Sequence, residues 1–185
     1  MKFGLYLIYG LTWALSRLPM RVLYALSDCL FPLIYHIARY RRKLVRRQLQ
    51  ECFPQQPAQW HRQVERKFYH FFCDYIVETL KLMHMGSREI ERRVTWDGLE
   101  ELQAEMRTRG KKFAVAYLGH YGNWEWVASF SSHLAPDFGG AQIYHPLKNK
   151  RVDRFFLKLR RQFGGDCIAM KEALRHIILM GRGEK

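Results

Sequence analysis

The chain has 185 residues, a hydrophobic fraction of 48% and a formal net charge of +14. This hydrophobic fraction argues against a disordered chain, and the length predicts one domain plus an appendage. The charge predicts a polyanionic neighbour, which would be a nucleic acid, an anionic lipid surface or an acidic protein. The four cysteines form no C-x-x-C pair, which disfavours a zinc site or a disulfide framework and is typical of a reducing compartment.

Two apolar stretches lie at the amino end. Residues 3–15 carry no charge but are fewer than the roughly 20 residues that a membrane-spanning helix needs. Residues 20–38 follow and are interrupted by Arg21, Asp28 and Pro32. A cleaved secretory signal peptide is the alternative, but no small-x-small cleavage site follows the first stretch. We therefore expect an uncleaved membrane anchor.

A basic cluster comes directly after the second apolar stretch. It consists of Arg39, Arg41, Arg42, Lys43, Arg46 and Arg47. The positive-inside rule places this cluster, and the domain beyond it, on the cytoplasmic side of the membrane. Basic clusters also bind anionic headgroups, although a solvated basic helix face is the alternative.

A long helix is predicted from about Ala58 to Met83, because apolar and aromatic residues recur there every three or four positions. These residues are Trp60, Val64, Phe68, Phe71, Phe72, Tyr75, Ile76, Leu80 and Met83. Such a stripe is typical of a core-facing helix face, and its aromatic content would also suit a wall beside an apolar substrate.

Strand and helix patterns alternate from residue 93 onward. The predicted strands are Arg93–Trp96, Phe113–Leu118, Ala141–Tyr144 and Cys167–Met170, and the predicted helices are Leu99–Thr108, Asn123–Leu134, Lys150–Phe163 and Glu172–Met180. This order predicts an α/β sandwich around a mixed or parallel sheet. The sequence contains no G-x-G-x-x-G or other Gly-rich phosphate loop, which disfavours nucleotide binding.

The segment GHYGNWEW, residues 119–126, is the strongest candidate for a catalytic site. His120 follows a predicted strand, at the edge where α/β folds place their chemistry, and Asn123 is a candidate N-cap. If His120 lies in the turn and Glu125 in the next helix, the carboxylate can orient the imidazole as a general base. The amides of Gly122 and Asn123 would then be placed to hold an oxyanion. The alternative is a turn histidine bonded to backbone.

The same His-x4-Glu spacing occurs a second time, at His84 and Glu89. This copy follows a helical segment and has no strand or Gly-Asn-Trp context, so we interpret it as accidental.

A second block, residues 144–165, is rich in cations. Arg154, Lys158 and Arg161 share one helix face, which solvation alone explains. Arg160 lies on a face shared with Val152 and Phe156 instead. An arginine there suits phosphate, because its planar fork binds two oxygens at once.

Together, GHYGNWEW, the block YHPLKNKRVDRFFLKLRRQFGG and the helix end DYIVETLK resemble the bacterial lipid A biosynthesis acyltransferases, a branch of the lysophospholipid acyltransferase-like superfamily. The resemblance implies an anchor with a basic juxtamembrane segment (residues 1–48) and an acyltransferase domain (residues 49–185). It implies catalysis by His120 and Glu125 without a metal or another cofactor.

The resemblance also implies the substrates and their contacts. The donor would be acyl carrier protein or acyl-CoA, and the acceptor a hydroxyl group of a lipid A precursor at the inner membrane, with no nucleic acid bound. Arg160 would lie near the active site and contact substrate phosphate. Lys148 and Asn149 would be further substrate contacts, although helix capping explains Asn149 equally well.

Three alternatives stay open. The acceptor could be another lipid, such as a glycolipid or an amino-acid lipid. The chain could be a non-catalytic membrane-bound remnant, because the family pattern continues beyond GRGEK and we expect the carboxyl-terminal part to be missing. The charge also permits nucleic-acid binding, but the sequence contains no recognised module for it.

Overall fold

The computed structural model describes residues 10–111 and 113–182. They form two compact units that divide between His84 and Met85. The predicted functional boundary between an anchor (1–48) and an acyltransferase domain (49–185) stays a prediction.

The first unit is helical. Its elements are α1 (Met20–Pro32), which continues into a π-helix (Leu33–Ala38), then α2 (Arg42–Cys52) and α3 (Ala58–Leu82). Residues 10–16 are also helical. The change to a π-helix follows Pro32, which has no amide hydrogen for the helical ladder. Arg39 and Arg41 then adopt positive φ angles, which turn the chain into α2.

Helices α1 and α3 pack against each other and form the core of this unit. Phe31 and Tyr35 are buried with Tyr69 and Cys73. The buried Ser27 hydroxyl donates to Asp74 Oδ1 over 2.7 Å. The interface between α1 and α3 therefore includes a hydrogen bond, which offsets the cost of removing the Ser27 hydroxyl from water.

The bounds of α3 agree with the prediction to one residue, but the predicted buried face is wrong. The buried positions are His61, Glu65, Tyr69, Cys73, Val77, Lys81 and Leu82, whereas Phe68 and Phe71 are exposed. The Glu65 carboxylate is buried because Arg42 Nε donates to it over 2.8 Å and Arg46 Nε over 2.9 Å. A hydrophobicity pattern cannot show a charged residue that is buried through its partners.

The predicted membrane anchor lies only partly within the described residues. Residues 3–9 of its first stretch lie outside them, and its second stretch forms α1 and the π-helix. Among residues 10–111 and 113–182, no helix combines the length and the apolar character that crossing a bilayer requires.

The second unit contains the sheet. Its elements are α4 (Ser87–Glu91), α5 (Leu99–Thr108), a 3₁₀ helix (Trp124–His133), β1 (Ala141–Tyr144), α6 (Lys150–Arg161), β2 (Asp166–Ala169) and α7 (Ala173–Arg182). Strands β1 and β2 are parallel, with Ala141 opposite Asp166 and Tyr144 opposite Ala169, and α6 is their crossover. The parallel α/β unit is thus confirmed, and α5, β1, α6, β2 and α7 lie where the sequence predicted them to within two residues.

Two predicted strands are absent. Arg93–Trp96 and Phe113–Leu118 have no regular secondary structure, and the described sheet has two strands, so the predicted sandwich is not confirmed. Tyr117 is 94% exposed and Leu118 60%. Strand propensity measures how well a side chain fits a half-buried sheet surface, and this segment pairs with neither β1 nor β2.

The helix predicted at Asn123–Leu134 is a 3₁₀ helix instead. Its serines favour this tighter winding, because Ser129 Oγ donates to the carbonyl of Trp126 and Ser132 Oγ to that of Ser129, each over 2.8 Å and three residues back.

Ser131 of the 3₁₀ helix lies against the residues that precede both strands. A Cβ at Gly140 would lie 2.3 Å from Ser131 Oγ, and one at Gly165 would lie 2.4 Å from it. Only glycine fits at these two positions without a shift of Ser131, so the glycines let the 3₁₀ helix approach the sheet closely.

Candidate active site

His120 lies in a tight, exposed turn. The amide of Tyr121 donates to the carbonyl of Gly119 over 2.8 Å, and Gly122 follows with a φ of 64°. A side chain at Gly122 would be strained at this φ. The His120 ring packs edge-on against Trp124, with 5.1 Å between ring centroids. The turn therefore exposes the imidazole to solvent, while the Trp124 ring packs against one side of it.

Glu125 lies in the first turn of the 3₁₀ helix and is only 4% exposed. Both of its carboxylate oxygens accept hydrogen bonds from one guanidinium. Arg160 Nε donates to Oε2 over 3.1 Å, and Arg160 Nη2 donates to Oε1 over 2.9 Å. This bidentate geometry is the strongest form of the arginine–carboxylate pair.

Arg160 reaches Glu125 from the apolar side of α6. Its guanidinium also lies 5.5 Å from the centre of the Phe156 ring, and its neighbour Leu159 is buried. The Arg160 side chain is 21% exposed, whereas that of Arg161, one residue on, is 54% exposed. The prediction that Arg160 lies away from the solvated face of its helix is therefore confirmed.

The structure thus pairs Glu125 with Arg160, 35 residues away, rather than with His120. Among residues 10–111 and 113–182, His120 makes no hydrogen bond. Sequence reasoning missed the Glu125–Arg160 pair. One signal was available, because an arginine on the apolar face of a helix needs an acidic partner.

The pair with Arg160 does not use all the hydrogen-bond acceptor sites of the Glu125 carboxylate. A carboxylate has about four acceptor sites, and a bidentate arginine occupies two of them. Glu125 can therefore accept from Arg160 and from a second donor at the same time.

Gly122 and Asn123 occupy the entry to the 3₁₀ helix. Asn123 stands at the N-cap position, and its carbonyl accepts from the Trp126 amide over 3.1 Å. Its side chain does not cap the helix, in contrast to the predicted role. The backbone at this entry carries the positive end of a helix dipole.

Asn149 is a helix cap. Its Oδ1 accepts from the amide of Arg151 over 3.0 Å and from that of Val152 over 3.4 Å, which fixes the start of α6. Asp153 Oδ1 accepts from the Leu147 amide over 2.8 Å and holds the preceding loop. Lys148 is exposed in this loop. Of the two readings of Asn149, the structure thus supports capping.

The second His-x4-Glu copy has different partners. Ser16 Oγ donates to the carbonyl of Trp13 over 2.7 Å, so the hydrogen bond between Ser16 Oγ and His84 Nδ1 has the imidazole as donor. Glu89 accepts from Arg93 Nε over 3.2 Å. Each residue has a structural contact of its own, in agreement with our interpretation of this copy as accidental.

The buried thiols do not resemble nucleophiles. Burial raises the pKa of the Cys167 thiol in β2, although the nearby Arg161 and Arg160 act in the opposite direction. Burial also raises the pKa of the Cys73 thiol. A raised pKa keeps a thiol protonated and unreactive at neutral pH.

The described part of the chain contains no group of three or more His, Cys, Asp or Glu side chains that is arranged to hold a metal ion.

The family described as bacterial lipid A biosynthesis acyltransferase matches residues 1–185, which is the whole chain. Searches among curated proteins and among solved structures found no match.

Proposed function

The chain belongs to the bacterial lipid A biosynthesis acyltransferase family and is an acyltransferase, and from this premise we propose its reaction. It transfers a fatty acyl chain from a thioester, on acyl carrier protein or CoA, to a hydroxyl group of a lipid A precursor or a related glycolipid.

The observation that carries the proposal is the bidentate pair of Glu125 and Arg160. It joins two of the three segments that carry the resemblance to the family, the GHYGNWEW segment and the block that contains helix α6, at a position only slightly open to solvent. A buried charged pair costs free energy to desolvate, and buried hydrophobic residues would often be as stable. Retention of a charged pair where apolar residues would serve favours a functional role for it, and His120 precedes Glu125 by five residues in the chain.

His120 is the general base. Its imidazole takes the proton of the acceptor hydroxyl as the oxygen attacks the thioester carbonyl. A C–O bond forms and the C–S bond breaks, and the proton passes from the imidazolium to the leaving thiolate. The products are an ester and a free thiol, so atoms and charges balance without a cofactor.

Glu125 stabilises the imidazolium. Arg160 uses two acceptor sites of the carboxylate and leaves others for the Nδ1–H of His120. The backbone amides of Gly122 and Asn123, at the positive end of the 3₁₀ helix, stabilise the oxyanion that develops on the thioester carbonyl.

Arg160 positions Glu125. In this role the guanidinium holds the carboxylate in one orientation through its two hydrogen bonds. Contact with a substrate phosphate, which the family resemblance implies, is compatible with this role because a guanidinium has five N–H donors. Lys148, exposed in the loop before α6, is a further cation for the same anionic acceptor.

The enzyme works at the cytoplasmic surface of the inner membrane. Support comes from the π-helix and the turn after it, where the apolar side chains of Leu33, Ile37 and Tyr40 are exposed, Ile37 to 75%. The exposed cations Arg39, Arg41 and Lys43 lie in the same segment. Apolar side chains that enter the acyl boundary beside cations that bind anionic headgroups are typical of interfacial membrane proteins.

The proposed catalytic role is tested by substitution of His120. With the purified 185-residue chain in detergent, an acyl thioester and a lipid A precursor, His120→Ala should reduce kcat by about 10²–10⁴, the usual contribution of a general base. His84→Ala is the matched control from the second His-x4-Glu copy, and it should retain kcat per folded molecule even though it loses the contact with Ser16. Equal turnover by wild type and His120→Ala would refute the assignment.

A further inference from the structure

Helix α6 has two sharply different faces. Viewed along its axis, at about 100° per residue, five cations fall within one arc of roughly 100°. They are Lys150, Arg151, Arg154, Lys158 and Arg161. The opposite side carries Val152, Phe156, the buried Leu159 and Arg160, which holds Glu125. The helix that supplies Arg160 to the candidate active site therefore presents a cationic face, defined by these five residues, to solvent.

Local acids neutralise little of this cationic face. All five residues are exposed, and Arg161 pairs with the exposed Asp166 over 3.2 Å. The acidic residue within the helix, Asp153, lies about 60° from Lys150 and about 100° from Arg154, and its Oδ1 accepts from the Leu147 amide. The first two turns and the middle of α6 thus form a strip of positive charge, about 12 Å long between Lys150 and Lys158 at 1.5 Å per residue.

From this arrangement we propose that the cationic face of α6 is the docking surface for an acidic carrier protein that delivers the acyl thioester. The proposal rests on the proposed function and names the partner of the same active site. The expected partner surface is a helix that carries carboxylates every three or four residues. This spacing matches that of Arg154, Lys158 and Arg161 on the cationic face.

The geometry favours an acidic protein over the two other polyanions. A small anion such as a nucleotide-bearing thioester needs cations that converge in a concave site, whereas these project from one convex helix face. A bilayer would also engage apolar side chains, and no large apolar residue is exposed within this arc of the helix. The segment around Ile37, by contrast, has both cations and exposed apolar side chains.

The position of the cationic face also fits delivery to the active site. The face and Arg160 are on opposite sides of one helix, and an α-helix with its side chains is about 10–12 Å across. A thioester on a flexible arm therefore has to pass around one helix to reach the carboxylate that Arg160 holds. Charges outside the active site, such as those of the cationic face, raise the rate of association with the partner and leave the rate of the chemical step unchanged.

Charge reversal on the 185-residue chain tests the inference. The double variant Arg154→Glu/Lys158→Glu should lower kcat/KM for acyl carrier protein about tenfold or more, because steering by charge changes association rates by about 10–10³. It should leave transfer from acyl-pantetheine, an uncharged small thioester, unchanged. The double variant Arg175→Glu/Lys171→Glu, at exposed cations of the same unit outside α6, makes the same change in net charge and should retain both activities.

A binding titration separates this inference from the proposed function. Acyl carrier protein should bind the wild-type chain, with an affinity that falls as salt rises, and should bind Arg154→Glu/Lys158→Glu at least about tenfold more weakly. Absence of binding to wild type, or equal loss with the Arg175→Glu/Lys171→Glu control, would overturn the docking surface even if acyl transfer from pantetheine thioesters is robust. Binding that behaves as expected without any acyl transfer would instead refute the proposed function and leave the docking surface standing.

Discussion

Replacement of Arg160 by methionine would remove the partner of a carboxylate that is almost completely buried. Loss of one member of a fully buried pair costs about 3–5 kcal/mol, since the remaining charge has no compensation. The Arg160 side chain is 21% exposed, so some water can reach the Glu125 carboxylate in the variant. We therefore expect the second unit to lose about 2–3 kcal/mol of stability, below the value for a fully buried pair.

Hydrogen exchange measures this loss where it occurs. The chain has two compact units, so a single global unfolding curve would be difficult to interpret. Amides of α6 and of the 3₁₀ helix that exchange by unfolding of the second unit should lose about 30- to 150-fold in protection, at about 1.4 kcal/mol per factor of ten. Arg160→Lys should lie between wild type and Arg160→Met, because lysine keeps the charge but not the bidentate fork.

Two further variants show whether the loss comes from the buried charge. Arg161→Met removes the neighbouring pair with Asp166, whose side chains are 54% and 72% exposed, and should cost at most about 1 kcal/mol. Addition of Glu125→Gln to Arg160→Met removes the uncompensated charge and should restore about half or more of the lost protection. The reasoning is refuted if Arg160→Met is as well protected as Arg161→Met, or if Glu125→Gln restores nothing.

The other predictions concern acid stability, packing and membrane binding. Burial opposes ionisation of Glu65, but hydrogen bonds from arginines outweigh it and its pKa is lowered, so the carboxylate stabilises the first unit above its ordinary pKa of about 4.3 and this contribution is lost as the pH falls through the lowered value. Hydrogen-exchange protection of α2 and α3 in Glu65→Gln should therefore be lower than in wild type at pH 7 and should decline less as the pH falls towards 3; the same decline in protection as in wild type would be evidence against the buried carboxylate. Gly140→Ala should destabilise the second unit by about 1–3 kcal/mol in hydrogen exchange, since the new methyl group meets Ser131 Oγ, and Ser131→Ala should recover part of the loss; wild-type protection in Gly140→Ala would exclude the close approach. Leu33→Asp/Ile37→Asp should reduce sedimentation with vesicles containing anionic lipid, because it places charge where apolar side chains are exposed; undiminished sedimentation would contradict the interfacial surface.

Local patterns in the sequence predicted the helices and the short parallel strands well. The apolar repeat predicts α3 to within one residue, and the alternation in residues 141–170 predicts β1, α6 and β2. Asn149 caps α6, as its place before a helical pattern suggests. These features depend on neighbours within one element, so propensity and period are sufficient to find them.

Features that depend on distant partners could not be predicted in this way. Phe113–Leu118 has the composition of a strand but lacks a pairing partner among the described residues. The buried face of α3 is set by Glu65 and its arginines, which lie 19 and 23 residues earlier in the chain. A hydrophobicity pattern treats these charges as solvent-exposed, because it contains no information on pairing.

The candidate active site combines both kinds of feature. The turn around His120 is visible in the sequence, because Gly119 and Gly122 frame it. The contact between Glu125 and Arg160, which are 35 residues apart in the chain, could not be predicted from the sequence. It changes the assignment of Glu125 from a partner of His120 alone to a carboxylate held by an arginine.

The most direct test of the account is identification of the product. The purified 185-residue chain is incubated with an acyl thioester and a lipid A precursor, and the lipid is analysed by mass spectrometry while free thiol is titrated. The account predicts an acceptor that is heavier by one acyl group in base-labile ester linkage, with one thiol released per ester formed, and no such product with His120→Ala. Thiol release with an unmodified acceptor, or the same product from His120→Ala, would contradict it.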